Sequence, residues 1–397
     1  MSKQQFDALI SSMIQAVDGV SDLLFVVNRP PQIEVYGKLR SVEVDPRFAM
    51  LTATATEQMA VTLMNGNERL YHDFATSGSC DTSYALGDTA RFRVNIFKQN
   101  GHHAIVMRKL NTQIPTVDQL KLPTVLKQAV KEKNGLVFVT GATGNGKTTT
   151  LAAMLHELNA SEDVHVVTLE DPIEYLHPHA RATFSQRELG KDFSDFATGL
   201  RAALRQAPKV ILVGEVRDRE TMEIALTASE TGHLVLATLH TISAAASLKR
   251  ILGFFSQDEE EQIRHRLAET VRWIVSQRLV PKKGGGRFCA TEVLGSNLRS
   301  REAILLGESE VRDFHDIISA SEPMGWHTFE RSLINAFRDG KIAEEVAMTY
   351  SVNKPEMRKS LDLVKKEMFP VDEEPTGLRL NMEDLHIDPN ATFRPMH

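Results

Sequence analysis

The segment GATGNGKT at residues 141–148 constrains the fold of this chain more than any other feature. It follows residues 136–140 (LVFVT), an apolar and β-branched run that predicts a buried strand. The segment after it, residues 149–156 (TTLAAMLH), predicts a helix. A strand, a glycine-rich loop, a Lys-Thr pair and a helix, in this order, form the context that a P-loop requires. The chain is therefore predicted to bind a nucleoside triphosphate.

The chemistry of this loop follows from its composition. Glycines allow backbone N–H groups to converge on phosphate oxygens, and the helix N-terminus adds the positive end of its dipole. Lys147 is expected to reach the β- and γ-phosphates, and the Thr148 hydroxyl is expected to ligate Mg²⁺. A turn that merely joins a strand to a helix is the alternative, and the Lys-Thr pair between correct flanks argues against it. The predicted nucleotide-binding residues of the loop are Gly141, Ala142, Thr143, Gly144, Asn145, Gly146, Lys147, Thr148 and Thr149.

A second apolar run ends close to a carboxylate. Residues 210–213 (VILV) predict a buried strand that leads through Gly214 to Glu215. P-loop enzymes place such an acid beside the loop, where it orients the Mg²⁺ shell or the attacking water. Many buried strands end in an acid, so the run by itself is weak evidence. Together with the P-loop, it predicts a catalytic and Mg²⁺-supporting role for Glu215.

Residues 168–174 (TLEDPIE) contain three acidic residues close together, after another short predicted strand. A solvated turn around Pro172 is one interpretation. Three carboxylates close together repel one another unless a cation lies among them, and Mg²⁺ and the P-loop lysine supply that charge. The cluster is therefore expected to face the nucleotide, with Glu170 polarising the hydrolytic water.

Two histidines, His233 and His240, flank a third apolar run, residues 234–239. Their spacing places the rings on opposite faces of a strand, which disfavours a shared metal site. In isolation they would be core or capping residues. Near a triphosphate, a histidine can donate a hydrogen bond to the γ-phosphate and respond to its loss.

Composition restricts the class of protein. The 397 residues carry a formal net charge of -6, and the sequence pI is about 6.2, which disfavours a surface built for nucleic acid. The two cysteines, Cys80 and Cys289, are too few for a structural zinc site and fit a reducing compartment. The sequence contains no long uncharged apolar run, and the first residues predict an acid-bearing amphipathic helix instead of a signal peptide. A cytoplasmic protein is expected.

The pattern along the chain predicts two folded units. Residues 90–97 alternate strictly, with Phe92, Val94 and Ile96 on one face, and a turn leads to a returning strand at residues 104–108, which together predict a hairpin. From residue 117 to about residue 318, strands alternate with helices, which is typical of a mostly parallel, covered sheet.

The predicted domain boundaries follow from these patterns. We expect an N-terminal domain at residues 1–112, a linker at 113–118, and an ATPase domain with C-terminal helices at 119–368. The acidic, proline-containing segment 369–397 is predicted to be disordered.

With these segments identified, the chain resembles the secretion ATPases of type II and type IV pilus systems, and within them the pilus-retraction ATPases. The matching motifs are GATGNGKTTT, TLEDPIEY, VILVGEVRD and TGHLVLATLHT. Further similarity lies in SDLLFVVNRPPQIEVYGKL, ARFRVNIF, LRAALRQAP and GWHTFERSLINAF, so that the resemblance covers nearly everything except the tail.

The resemblance implies an α/β fold in which an N-terminal PAS-like α+β domain precedes a RecA-like P-loop ATPase core with a helical C-terminal section. It also implies a homo-hexameric ring that hydrolyses ATP with Mg²⁺ and powers pilus retraction, the disassembly of pilin that underlies twitching motility. The implied partners are an inner-membrane pilus platform protein and, as a further candidate, a paralogous retraction ATPase, with no nucleic acid. The implied location is the cytoplasm, with peripheral association to the inner membrane.

Roles of individual residues also follow from the resemblance. It implies that Glu170 activates water, that Glu215 supports the metal, and that the histidine box corresponds to His233 and His240. Arginines of the N-terminal domain approach the phosphates in such enzymes. Arg93 and Arg108 occupy the matching hairpin positions, with an exposed hairpin face as the alternative interpretation.

Other functions stay open at this stage. An accessory or weakly hydrolysing retraction subunit is one alternative, and a type IV secretion system ATPase is another. Assembly ATPases of the superfamily carry an extra N-terminal domain and a four-cysteine zinc site, whereas only Cys289 lies downstream of the P-loop here. A DNA translocase is disfavoured by the acidic balance.

Overall fold

The computed structural model describes residues 1–87, 89–110, 113–309 and 312–368. The segment 369–397, predicted to be disordered, lies outside the described residues. The α-helices are α1 (Lys3–Gln15), α2 (Ala53–Met64), α3 (Glu68–Ser77), α4 (Leu126–Ala129), α5 (Lys147–Ser161), α6 (Phe196–Ala203), α7 (Arg219–Glu230), α8 (Ala244–Leu252), α9 (Glu260–Thr270), α10 (Leu298–Leu306), α11 (Phe314–Ser319), α12 (Phe329–Arg338), α13 (Glu344–Tyr350) and α14 (Lys354–Met368). The strands are β1 (Val20–Phe25), β2 (Gln32–Val35), β3 (Lys38–Ser41), β4 (Ser79–Leu86), β5 (Ala90–Gln99), β6 (His102–Leu110), β7 (Gly135–Thr140), β8 (His165–Glu170), β9 (Thr183–Glu188), β10 (Val210–Val213), β11 (Leu234–Leu239), β12 (Val271–Pro281) and β13 (Arg287–Gly295).

The first six strands form an antiparallel sheet in the order β3-β2-β1-β6-β5-β4. Together with α1, α2 and α3 it makes up what we call the N-terminal unit. Phe92, Val94 and Ile96 of β5 are fully buried in one apolar cluster with residues of the three helices. Because side chains alternate along a strand, the neighbouring Arg91 and Arg93 lie on the opposite face of the sheet.

The second sheet has seven strands in the order β13-β12-β7-β11-β10-β8-β9. All neighbouring pairs are parallel except β12 and β13, which are antiparallel. With α4 to α11 this sheet forms what we call the α/β core. Successive residues of β7 belong in turn to two different apolar clusters, as Val137 and Phe138 show. Helices therefore cover both faces of the sheet.

The topology brings four strand ends to one edge of this sheet. Neighbours in the order β7-β11-β10-β8 are parallel, so their carboxyl ends lie side by side. The P-loop leaves β7, His240 follows β11, Glu215 follows β10, and Glu170 ends β8. Ligands of open α/β sheets bind at such an edge.

The helices α12, α13 and α14 pack into a separate apolar cluster against β12 and β13. Phe329 and Leu333 are fully buried there, so that the apolar face of α12 packs into the interior. Within the described residues, no helix is long and apolar enough to cross a membrane.

The predicted fold class is confirmed: an α+β unit with an antiparallel sheet precedes a P-loop α/β core and a helical C-terminal section. The sequence pattern missed α3 and β4, which connect α2 to β5. The exact domain boundaries stay a prediction, and Asn111 and Thr112, beside the predicted linker, lie outside the described residues.

Candidate active site

A cleft of about 990 Å³ lies at the carboxyl edge of the parallel strands, between the α/β core and the N-terminal unit. The core lines it with the P-loop, the acidic segment after β8, Glu215 and His240. The N-terminal unit contributes Arg93 and Arg108 from its hairpin. Segments far apart in the sequence therefore meet around one space that is large enough for a nucleotide.

The P-loop has the backbone conformation that a phosphate cradle requires. Gly146 precedes α5 with φ of 81°, a conformation that favours glycine. A Cβ atom at Gly141 would lie 2.5 Å from the carbonyl oxygen of Gln277, so that only glycine fits there. In the part of the chain that the structure describes, no side chain caps the N-terminus of α5. Its first N–H groups therefore point into the cleft without a side-chain acceptor, and they fit phosphate oxygens.

Lys147 lies folded over this loop. Its Nζ donates hydrogen bonds to the carbonyl oxygens of Gly141, at 2.7 Å, and of Ala142, at 3.2 Å. Burial lowers the pKa of Lys147, and the charges of Glu215 and Glu174 oppose that shift. The ammonium group is thus within reach of any phosphate that the loop binds.

Asn145 ties the loop to the neighbouring strand β12. Its side-chain Oδ1 accepts a hydrogen bond from the backbone N–H of Leu279 at 3.3 Å, and its carbonyl oxygen accepts one from Gln277 Nε2 at 2.8 Å. The sequence pattern treats this position as part of a backbone cradle only. The structure shows that the asparagine side chain also anchors the cradle.

Glu170 is a buried carboxyl group at the end of β8, with 7% of its surface exposed. Its Oε1 accepts hydrogen bonds from Thr168 Oγ1 at 2.6 Å and from Gln186 Nε2 at 3.0 Å. Burial raises the pKa of Glu170 to about 7, although both hydrogen bonds favour the charged form. A carboxyl group with a pKa in this range can exchange a proton at neutral pH.

The acidic segment brings a second carboxylate, Glu174, to the P-loop. Glu174 accepts a hydrogen bond from the Thr148 side chain, and the next residue, Tyr175, has its hydroxyl 3.2 Å from Thr149 Oγ1. Burial raises the pKa of Glu174, whereas the charge of Arg93, the bond from Thr148 and the charge of Lys147 oppose this. The sequence predicts that the acidic cluster faces the nucleotide and indicates a role for Glu170 alone, because the pairing of Glu174 with Thr148 depends on how the two loops pack.

Glu215 and His240 form a pair in the cleft. Glu215 Oε1 lies 2.9 Å from His240 Nε2, and its Oε2 lies 2.7 Å from a guanidinium nitrogen of Arg217. Partial burial pushes the pKa of Glu215 upward, but the bond from Arg217 and the charges of His240 and Arg217 outweigh it, so that the pKa is lowered. The other ring nitrogen of His240 lies 3.5 Å from Lys147 Nζ. The histidine therefore links the Glu215 carboxylate to the P-loop.

His233 lies elsewhere. It precedes the first residue of β11, and its Nδ1 lies 3.0 Å from the carbonyl oxygen of Ala228 in α7. The six residues of β11 lie between it and His240, so that seven steps at the rise of a strand separate the two by about 23 Å. His233 is thus not among the residues that line the cleft, and its predicted contact with the nucleotide stays a prediction.

Arg93 and Arg108 are direct cross-strand partners in the β5–β6 hairpin. Like charges in this position are unfavourable unless an anion lies between them. Arg108 Nε donates to Asp22 Oδ1 at 2.9 Å while its side chain stays 70% exposed, and the charge of Arg93 acts on Asp171 and Glu174. The two guanidinium groups thus give the cleft a positively charged wall opposite the P-loop.

The donor set of the cleft fits a hard cation held partly by phosphates and water. Within the described residues, no three His, Cys, Asp or Glu side chains form a metal cluster. Mg²⁺ in phosphate-binding sites is held by one or two protein oxygens together with phosphate oxygens and waters. The Thr148 hydroxyl, Glu174 beside it and Glu215 are side chains of this kind.

The fold and the cleft together define a P-loop nucleoside triphosphatase. Comparison with known proteins agrees with this class. Residues 78–309 match the family described as type II/IV secretion system protein. The chain is 37% identical to the type IV pilus ATPase PilU of Pseudomonas aeruginosa over 360 residues, which cover 90% of this chain and 92% of that protein. It is 38% identical to the type IV pilus retraction ATPase PilT of the same organism over 332 residues, or 84% and 94% of the two chains.

A solved structure agrees with the sequence matches. The crystal structure of the pilus retraction motor PilT with bound ADP aligns with a TM-score of 0.79 and 36% identity, over 89% of this chain and 98% of that one. This chain belongs to the type II/IV secretion system protein family, and within it to the group of pilus-retraction ATPases. It is an ATPase.

Proposed function

We propose that this chain is a homo-hexameric motor in which ATP hydrolysis powers type IV pilus retraction. One observation carries the proposal: the nucleotide cleft is built by both the α/β core and the N-terminal unit. The nucleotide contacts both units, and losing its γ-phosphate changes the contacts between them. The relatives named for pilus retraction match nearly the full described length, which supports the same use here.

Glu170 is the residue that polarises the attacking water. Its carboxylate is positioned by Thr168 and Gln186 at the edge of the cleft. Glu215 supports the metal, and His240 couples Glu215 to Lys147, so that the P-loop can respond to loss of the γ-phosphate.

Arg93 and Arg108 stabilise negative charge on the transferred phosphoryl group. An arginine aimed at this charge is worth about 10³- to 10⁵-fold in rate in P-loop enzymes. Their place on the N-terminal unit makes catalysis depend on the position of that unit, which is the property that a motor requires.

Mg²⁺ would be held by Thr148 and supported by Glu174 and Glu215. When bound, it neutralises charge on the β- and γ-phosphates. We further propose an inner-membrane pilus platform protein as the partner on which the hexamer works, at the cytoplasmic side of that membrane, and a paralogous retraction ATPase as a second partner. PilT and PilU of one organism, both relatives of this chain, support the last point.

The pKa of Glu170 predicts the pH dependence of turnover. Glu170 polarises water only as a carboxylate, and its pKa lies at about 7 instead of the ordinary 4.5. Activity is therefore lost as the pH falls through 7, and kcat at saturating ATP and Mg²⁺ should rise about tenfold between pH 6 and pH 8.

The matched variant for this prediction is Thr168→Val, which keeps the side-chain shape but removes the hydrogen bond that favours the Glu170 carboxylate. It should move the midpoint of the profile to higher pH. A wild-type midpoint near pH 5, or an unchanged midpoint in Thr168→Val, would assign the water-polarising role to another group.

The proposed function is tested both on the purified protein and in cells. We expect a hexamer that hydrolyses ATP, and we expect wild-type protein to restore pilus retraction and twitching in a piliated strain lacking this chain, whereas Glu215→Gln does not. A folded hexamer that binds ATP without hydrolysis would instead indicate an accessory subunit. Normal retraction in the deletion strain would overturn the proposal.

A further inference from the structure

A buried polar cluster joins the N-terminal unit to the α/β core next to the cleft. At its centre is Glu188, the last residue of β9, with 3% of its surface exposed. Its carboxylate oxygens accept hydrogen bonds from Ser83 Oγ of β4, at 2.7 Å and 3.0 Å. The Arg91 guanidinium of β5 donates to Glu188 Oε2 at 2.6 Å, and Lys191 Nζ lies 2.7 Å from Oε1. One carboxylate of the core is thus held by two cations, one from each unit.

This contact is ionic. Burial raises the pKa of Glu188, but the hydrogen bonds from Lys191 and Ser83 and the charges of Lys191 and Arg91 outweigh burial and lower it. The carboxylate therefore keeps its charge at neutral pH. A buried carboxylate that loses one of its cations is left poorly compensated, so the geometry of the cluster is strongly specified.

Both cations also donate hydrogen bonds to Ser83 Oγ, and Lys191 donates to the Ser83 carbonyl oxygen as well. Arg91 differs from Lys191 in that it reaches the acidic segment. Its Nε donates a hydrogen bond to the carbonyl oxygen of Ile173 at 3.0 Å, and the N–H of Ile173 lies 3.3 Å from Glu188 Oε2. The peptide groups on both sides of Ile173 are therefore held by the Arg91–Glu188 pair. Ile173 immediately precedes Glu174, which contacts Thr148 of the P-loop.

We propose that Arg91 is a positioning residue for ATP hydrolysis, which holds the acidic segment 170–174 at the cleft through Ile173 and Glu188. Because Arg91 belongs to the N-terminal unit, it also ties the placement of the catalytic acids to the position of that unit. This inference rests on the proposed function, in which Glu170 polarises the attacking water.

The charge of Arg91 acts on the same acids. It is among the groups that favour the carboxylate form of Glu170, together with Thr168 and Gln186, whereas burial and the nearby Glu174 favour the neutral form. Loss of the Arg91 charge therefore raises the pKa of Glu170. Looser domain packing alone would act on this pKa in the opposite direction, because greater exposure of Glu170 lowers it.

The experiment compares Arg91→Met with Lys191→Met in the full chain. Both variants remove one cation from Glu188 and its hydrogen bonding to Ser83, but only Arg91→Met also removes the bond to Ile173. We expect Arg91→Met to lower kcat about 10- to 100-fold, the scale of a small misplacement of reacting groups, with KM for ATP within about threefold. Lys191→Met should lower the thermal stability, because Glu188 loses one of its cations, but should keep kcat within about threefold. The midpoint of the pH–rate profile should move to higher pH in Arg91→Met only.

Thermal unfolding shows whether Arg91→Met is folded. If it folds poorly, Arg91→Lys is the variant to measure. Lysine restores the charge but cannot bind Glu188 and Ile173 with two planar N–H groups. It should therefore restore the pH midpoint and leave kcat reduced. Equal effects of Arg91→Met and Lys191→Met, with an unmoved midpoint, would overturn the inference. Retained turnover in Glu170→Gln would instead refute the proposed role of Glu170, whatever the outcome for Arg91.

Discussion

Replacing Glu215 with glutamine is expected to lower kcat for ATP hydrolysis by about 100-fold or more, while ATP affinity changes by less than about threefold. This is the scale on which a single preorganised electrostatic contact acts in an enzyme site. Glutamine keeps the size of the side chain and one oxygen, which can still accept the hydrogen bond from His240. It loses the negative charge that Glu215 directs into the cleft. Steady-state kinetics, with nucleotide binding measured separately, test this result.

Glu220→Gln is the matched control for this substitution. Glu220 lies in the first turn of α7, a few residues after Glu215, and pairs with Arg201 on an exposed surface outside the cleft. This variant should hydrolyse ATP like the wild type. If Glu215→Gln retained most of its turnover, or if it lost nucleotide binding to the same extent as turnover, Glu215 would not have the proposed catalytic role.

Replacing Lys147 with alanine is expected to weaken binding of ATP about 10- to 100-fold, which corresponds to the loss of one or more charge-assisted hydrogen bonds. Turnover should fall with it, because the same ammonium group stabilises the transferred phosphate. The fold should persist, since the hydrogen-bond partners of Lys147 Nζ among the described residues are the loop carbonyls of Gly141 and Ala142 and the ring of His240. Calorimetric titration with a non-hydrolysable ATP analogue measures the affinity, and thermal unfolding checks the fold.

Lys127→Ala is the control for Lys147→Ala. Its Nζ forms an exposed ion pair with Asp118, away from the cleft, so that both affinity and turnover should stay at the wild-type values. Lys147→Arg is the complementary test of geometry, since it keeps the charge but replaces the compact ammonium group by a larger planar one. Wild-type affinity in Lys147→Ala would contradict the assignment of this loop as the phosphate site.

The sequence was sufficient to predict those helices and strands that a short run of residues specifies. The buried strand before the P-loop and the helix after it are present as β7 and α5, because apolar residues and glycines specify them within a short window. The hairpin of β5 and β6 follows from strict alternation around a turn. α3 and β4 were missed, since their residues mix polar and apolar types and are ordered by packing against the rest of the N-terminal unit.

In the candidate site, too, some residues could be placed from the sequence and others only from the structure. The P-loop, Glu170, Glu215 and His240 meet at one edge, because each follows or ends a strand of the same parallel sheet. His233 shares the sequence motif of His240, but it lies at the other end of the strand. Arg91 carried a signal that the sequence analysis did not use: the alternation of β5 places it on the same face as Arg93.

By itself, the sequence determined the class of this protein, since the phosphate-binding chemistry is contained in consecutive residues whose backbone does the binding. Only the tertiary structure decided which acid contacts Thr148, which histidine faces the P-loop, and which arginine joins the two units through Glu188. These pairings link residues that are far apart in the chain, from 26 positions between Thr148 and Glu174 to 97 between Arg91 and Glu188. Their geometry depends on strand order and on the packing of loops between two sheets, and no local sequence pattern encodes such distances.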